Sequence, residues 1–129
     1  MVERIKEKQV VSVEKDSQRL ATVILNHAWR LERPNGEARS SFVTFFPNSS
    51  IAGYYHPNEV TWGISDGKLQ FRSKHGAITS VSQRVIIDAR GEATIEMVHA
   101  DDTSAIAHRL RDLGEVPVPY LFDKVGNNE

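Results

Sequence analysis

Six turn signals punctuate the chain at nearly even intervals, and this spacing constrains the fold more than any other feature. Pro34-Asn35-Gly36 comes first, then Pro47-Asn48-Ser49-Ser50, His56-Pro57-Asn58, Asp66-Gly67, His75-Gly76 and Arg90-Gly91. Gly and Asn accept a positive φ, and Pro presets φ at the first turn position. Asp-Gly is one of the strongest short hairpin signals. Breaks at intervals of roughly 8–12 residues leave room for strands rather than long helices, the pattern of an all-β sandwich or barrel.

The segments between the turns carry strand chemistry. Val60-Thr61-Trp62-Gly63-Ile64 and Lys68-Leu69-Gln70-Phe71-Arg72 alternate about Asp66-Gly67. Because side chains alternate faces along a strand, Val60, Trp62, Ile64, Leu69 and Phe71 are expected to face inward. Ser41–Phe46 and Ser50–Tyr55 make a second hairpin, and Val85–Ile87 with Thr94–Val98 a third, closed around Asp88 to Gly91. Beta-branched and aromatic residues dominate throughout, as strands prefer.

The ends read less uniquely. Asp16 can cap a helix carrying Leu20, Val23, Ile24 and His27, while Thr22–Leu25 also suits a strand; a short helix or irregular lead-in into a first strand at His27–Leu31 is expected. Thr103–Leu113 fits a helix by Ile106, Leu110 and Leu113, and a strand by Ile106, His108 and Leu110. A closing strand is the expectation there. Two prolines keep Val116–Phe122 out of any central strand, and Gly126–Glu129 is expected to fray. The 129 residues fit one domain, with a lead-in at 1–25, a β-meander core at 26–113 and a Pro-containing tail at 114–129.

Composition removes several function classes. Sixteen basic against 17 acidic residues leave no basic excess for neutralising phosphates, so no nucleic-acid partner is expected. The absence of cysteine excludes disulfides, thiolate metal sites and cysteine nucleophiles. No apolar run approaches the ~20 residues that cross a bilayer. Met1–Lys8 lacks the apolar core of a secretory signal, so a soluble, cytoplasmic protein without a membrane partner is expected.

No glycine phosphate loop, nucleophile elbow, His-Glu-x-x-His or Ca²⁺ loop is present. The histidines at 27, 56, 75, 99 and 108 show no short metal-ligand spacing, and each reads as a turn or surface residue; no metal and no cofactor are expected. The densest polar and aromatic run is Tyr54-Tyr55-His56-Pro57-Asn58-Glu59-Val60-Thr61-Trp62. Flat rings with a few aimed donors and acceptors suit a polar-ligand pocket, and sugars in particular stack on such rings. The same residues also read as a turn, a core Trp62 and a solvent-facing tyrosine. Trp29 reads as a barrel plug or as a ligand contact, and both stay open.

Phe46 to Tyr54, His56-Pro57-Asn58-Glu59, Trp62 to Phe71 and Gly76 to Thr79, together with Trp29 and His108-Arg109-Leu110-Arg111, resemble small bacterial lipocalin-like (calycin-like) β-barrel modules. Such modules occur with glycosyltransferases and polysaccharide proteins. The resemblance spans about Trp29–Leu113 and implies an antiparallel up-and-down meander or barrel of about eight strands, with at most one or two short helices. It implies no catalytic residues.

The leading expectation is a non-catalytic small-ligand-binding module, saccharide-related, with Tyr54, Tyr55, His56, Asn58, Glu59, Trp62 and Trp29 as its contacts. A structural or protein-interaction module is the first alternative, either self-associating as a homodimer or docking on an enzyme. The second is an enzyme of unrecognised type using His56 and Glu59 as acid and base.

Overall fold

The computed structural model describes residues 18–116. A helix at 18–26 runs directly into eight strands: β1 (His27–Glu32), β2 (Ala38–Phe45), β3 (Ile51–Ala52), β4 (Thr61–Ser65), β5 (Lys68–Arg72), β6 (Ile78–Ile87), β7 (Ala93–His99) and β8 (Asp102–Glu115). All ladders are antiparallel. The order β3-β2-β1-β8-β7-β6-β5-β4 places the last strand beside the first, so the meander wraps into a nearly closed barrel. Its seam lies between β3 and β4. Across that seam a bridge joins Ser50 and Thr61, and the Trp62 N–H donates to the Ser49 carbonyl at 3.1 Å. The expected Asp16 cap and the 117–122 extended tail lie outside the described residues.

Each turn signal sits at a chain reversal. Arg33–Glu37, Phe46–Ser50, Ser73–Ala77 and Asp88–Glu92 share one hydrogen-bond pattern, with the first N–H donating to the fifth carbonyl and the fourth N–H to the first carbonyl. The fourth residue is left-handed in all four: Gly36, Ser49, Gly76 and Gly91. This is a type I turn followed by a bulge residue. Asp66 and Gly67 both take positive φ (55° and 75°), as a two-residue hairpin turn that matches strand twist requires. The β7–β8 reversal at Ala100-Asp101, between the paired His99 and Asp102, contains neither Gly nor Pro.

The barrel interior is occupied by apolar side chains. Trp29, Leu31, Phe45, Leu69, Phe71 and Ile95 are at most 1% exposed. Trp62, Leu69 and Phe71 face inward as expected, while Val60 and Ile64 are only half-buried. The helix sends Leu20 and Ile24 into this core and closes one end. The Trp29 indole N–H donates to the Ile24 carbonyl (3.4 Å), one of the groups a helix C-terminus leaves unpaired. A short helix is marginal alone, so the packing of Leu20 and Ile24 is what stabilises the described residues 18–26. A bulge in β6 between Ser82 and Arg84 shifts the alternation by one. Ser80 and Ser82 face inward before it, and Val85 and Ile87 share a face with Ile95 and Ala93 after it.

Residues 103–113 are strand, resolving the helix-or-strand alternative in favour of β8. One expectation is corrected. His108, read as a turn or surface histidine, is 1% exposed, because it alternates with Leu110 on the inward face of β8.

Candidate functional site

The end of the barrel away from the helix is polar. Arg39 reaches in from β2, Ser80 from β6, His108 from β8, and Tyr54, His56 and Glu59 from the segment linking β3 to β4. That segment crosses the barrel mouth at the seam. Gly53 makes its approach feasible: φ is 88°, and a Cβ there would collide with the Phe42 carbonyl oxygen. Only glycine allows such a backbone contact. The Ser40 hydroxyl donates to the Gly53 carbonyl (2.6 Å), fixing the segment against β2. The His56 carbonyl then accepts from the Glu59 N–H (2.9 Å), and this tight turn directs the Glu59 side chain inward.

Glu59 is 4% exposed and lies at the centre. His56 Nδ1 is 2.9 Å from Oε2, His108 Nε2 is 3.3 Å from Oε1, and Arg39 Nη1 is 3.6 Å from Oε1. None is aligned as a donor to the carboxylate. His56 Nδ1 instead accepts from the Asn58 N–H (3.1 Å), His108 Nε2 contacts the Ser80 hydroxyl (3.3 Å), and Arg39 Nη1 donates to the Tyr54 hydroxyl (3.3 Å). If Nδ1 of His56 holds a lone pair for Asn58, it has no proton for Glu59. The short contact is therefore a close approach of two acceptors. As a result Arg39 Nε, Glu59 Oε2 and His108 Nδ1 are buried without a hydrogen-bond partner among the described residues. Such atoms are rare in folded proteins, since burying a polar group unpaired costs roughly 1–3 kcal/mol.

The surroundings set the charge states. Burial holds His108 down at about 4, with Arg39, His99 and His56 adding repulsion, so its imidazole is neutral near pH 7. Burial also pushes the Tyr54 hydroxyl up, against the hydrogen bond from Arg39. The mouth thus combines a guanidinium, a buried carboxyl group, a neutral imidazole and a phenol.

Of the residues singled out in the sequence, the structure brings Tyr54, His56 and Glu59 together. Asn58 contributes its backbone N–H, while its side chain is in an exposed turn. Tyr55 is 76% exposed, and Trp29 and Trp62 belong to the apolar core, with the Trp62 indole N–H donating to the Phe46 carbonyl (2.9 Å). Arg39, Ser80 and His108 were missed. For His108 a signal existed in its alternation with Leu110. Arg39 and Ser80 carry none, because only the strand order brings them to the mouth. Among the described residues no group of three or more His, Asp or Glu is arranged to hold a metal ion, and no helix is long and apolar enough to cross a membrane. Comparison with protein-family models, curated proteins and solved structures finds no match for the chain.

Proposed function

We propose that this protein is a non-catalytic binding module that takes a small polyhydroxylated ligand at the Glu59 end of its barrel. The observation that carries the reading is the convergence of unpaired Arg39 Nε, Glu59 Oε2 and His108 Nδ1 at one mouth of an otherwise apolar interior. A donor, Arg39 Nε, and an acceptor, Glu59 Oε2, on side chains that approach to 3.6 Å through Nη1 and Oε1, complement a hydroxyl group, which both donates and accepts. Neighbouring hydroxyls on one ring satisfy several such atoms at once, which favours a saccharide or sugar-linked metabolite. The resemblance to lipocalin-like modules found with glycosyltransferases supports the same class. With the interior occupied by side chains, the ligand belongs at the mouth, bordered by the half-exposed His56.

Calorimetric titration with monosaccharides, uronic acids and nucleotide sugars tests the proposal. Saturable binding by at least one of them, lost in Glu59→Gln and accompanied by shifts of the His56 and His108 ring signals in NMR, is the expected result. Absence of binding across the panel, or binding that leaves those rings unmoved, would overturn it.

The 2.9 Å approach of His56 to Glu59 favours a second reading, in which the pair serves as acid and base on a bound substrate. Turnover of a bound sugar derivative by the wild type and not by Glu59→Gln would establish it.

A further inference from the structure

β6 outruns β5. The ladder between them ends at Gln70 and Val81, and beyond it the Leu69 N–H donates to the Ser82 hydroxyl (2.9 Å) instead of a backbone carbonyl. Among the described residues, Arg84–Ile87 pair on one side alone, with β7 from Glu96 to Ala93. The two strands diverge around a notch lined by Gly67, Lys68, Gln83 and Val85. Val85, Ile86 and Ile87 are 42%, 38% and 63% exposed, high values for three consecutive β-branched residues on an open edge. Such an edge is a template for strand addition. Val85 and Ile87 also border an apolar groove against Leu20 and Val23 of the helix.

We infer that this edge is a self-association surface, on which two copies of the chain pair β6 to β6, antiparallel, about a twofold axis through Ile86. The occupant is identified by charge complementarity. Arg84-Val85-Ile86-Ile87-Asp88 is its own complement when read in reverse. In the antiparallel register centred on Ile86, Arg84 of each copy lies opposite Asp88 of the other, Val85 lies opposite Ile87, and Ile86 faces itself. A twofold interface requires this reciprocity, in which residue i meets j and j meets i. Slipping the register by two residues sets charged residues opposite isoleucines, and slipping by one turns the apolar set to the wrong face. Both groups are available. Arg84 reaches only to 4.0 Å from Glu96, with its side chain 68% exposed. Asp88 uses Oδ1 for the Arg90 and Glu92 amides of its own turn. In the pair, the apolar groove beside the helix continues from one copy into the next.

Sedimentation velocity on the full chain, across the micromolar range, reads the association directly. The wild type is expected to dimerise with rising concentration. Ile86→Lys and Ile86→Glu each place like charges face to face across the axis, so each alone is expected to weaken association by at least tenfold. Their equimolar mixture, with opposite charges now facing, is expected to restore a dimer. Arg84→Asp is expected to weaken association several-fold by opposing Asp88. Circular dichroism confirms that each variant is folded, which is expected because Ile86 faces outward. A wild type that stays monomeric overturns the inference, as does a lysine variant that dimerises like the wild type or a mixture that stays monomeric. Slow amide exchange at 84–87 in a monomer would also overturn it, by showing that the chain covers this edge itself.

Discussion

The barrel buries a carboxylate near each end and treats the two in opposite ways. At the helix end, Asp112 has a side chain 2% exposed; its Oδ1 accepts from His27 Nδ1 (2.7 Å) and the Gly114 N–H (2.8 Å), and its Oδ2 from the Ala93 N–H (3.2 Å). Burial pushes this carboxyl up, but the bond from His27 and the two amides outweigh it and hold it below the usual carboxylate range. At the mouth, Glu59 is as deeply buried yet accepts no aligned hydrogen bond among the described residues. Asp112 ties β1, β7 and β8 together where the helix docks. Glu59 has comparable surroundings in charge but lacks the alignment that would tie anything down. A carboxylate that fastens a fold has its lone pairs filled by the chain. One that serves a ligand keeps a lone pair open, and the fold bears the cost.

Removing each carboxylate separates these roles. Asp112→Ala leaves the Ala93 and Gly114 amides and His27 without their acceptor. Lost charge-assisted bonds and stranded donors together predict a loss of about 4 kcal/mol, measurable by urea unfolding. A change below 1 kcal/mol would mean that Asp112 is dispensable and that the contrast between the ends is false.

Acid tests the same contrast. His108 binds a proton at about 4 when folded and at the ordinary 6.5 when unfolded. Between those values the unfolded chain holds more protons, so stability is full above about pH 6.5 and falls as pH drops toward 4. The loss attributable to this group reaches about 3 kcal/mol by pH 4. Asp112 has the same sign in a lower window: its folded value is also depressed, so its contribution persists above the ordinary carboxylate value and disappears only at lower pH. The mouth therefore gives way before the helix end. His108→Gln should flatten the stability profile between pH 6.5 and 4 while leaving the steeper acid limb in place. An unchanged profile would show that burial does not hold the His108 proton affinity below its unfolded value.

Much of the fold was legible because backbone chemistry announces it. Gly36, Gly67, Gly76 and Gly91 occupy left-handed positions that exclude most side chains, so the turns could be placed before the strands were known. The Ala100-Asp101 reversal has no such residue, and β8 was correspondingly ambiguous. The site was legible only where it is local. Tyr54, His56 and Glu59 arrive on one short segment. Arg39 and His108 are 69 positions apart in sequence and meet because β8 returns beside β1, a fact of strand order that no local pattern encodes. Trp29 and Trp62 each carried a core reading and a ligand reading in the sequence. An indole near polar residues suits a ligand, but the inward phase of β1 and β4 commits both rings to the core.

Gly53 links the mouth to that barrel wall. Gly53→Ala sets a Cβ against the Phe42 carbonyl oxygen and forces a positive φ on alanine, so the segment must lift from β2. A loss of about 2 kcal/mol is expected. The displacement should register at Tyr54 and His56 while leaving the His27–Asp112 contact intact. Histidine NMR distinguishes the two ends. Equal perturbation of His27 and His56 would show that the ends are not independent.

Glu59→Gln should produce the smallest change in stability and the most informative one. The substitution keeps the shape of the side chain and removes a buried charge whose neighbours are not aligned to it. The amide adds two donors, and Oε2 of the native side chain lies 2.9 Å from His56 Nδ1, a nitrogen already holding a lone pair. An amide N–H at that position relieves the contact between two acceptors, sharing the Nδ1 lone pair that the Asn58 N–H already uses. Against this stands the loss of attraction to Arg39 at 3.6 Å. The two effects oppose each other, and the net change should lie within about 1 kcal/mol of zero, on either side. Asp112 allows no such substitution, because all its donors are already matched. If Glu59→Gln is instead as damaging as Asp112→Ala, then Glu59 is a fastening of the barrel seam and the mouth is structural. If stability holds while sugar binding disappears, the open lone pair belongs to the ligand.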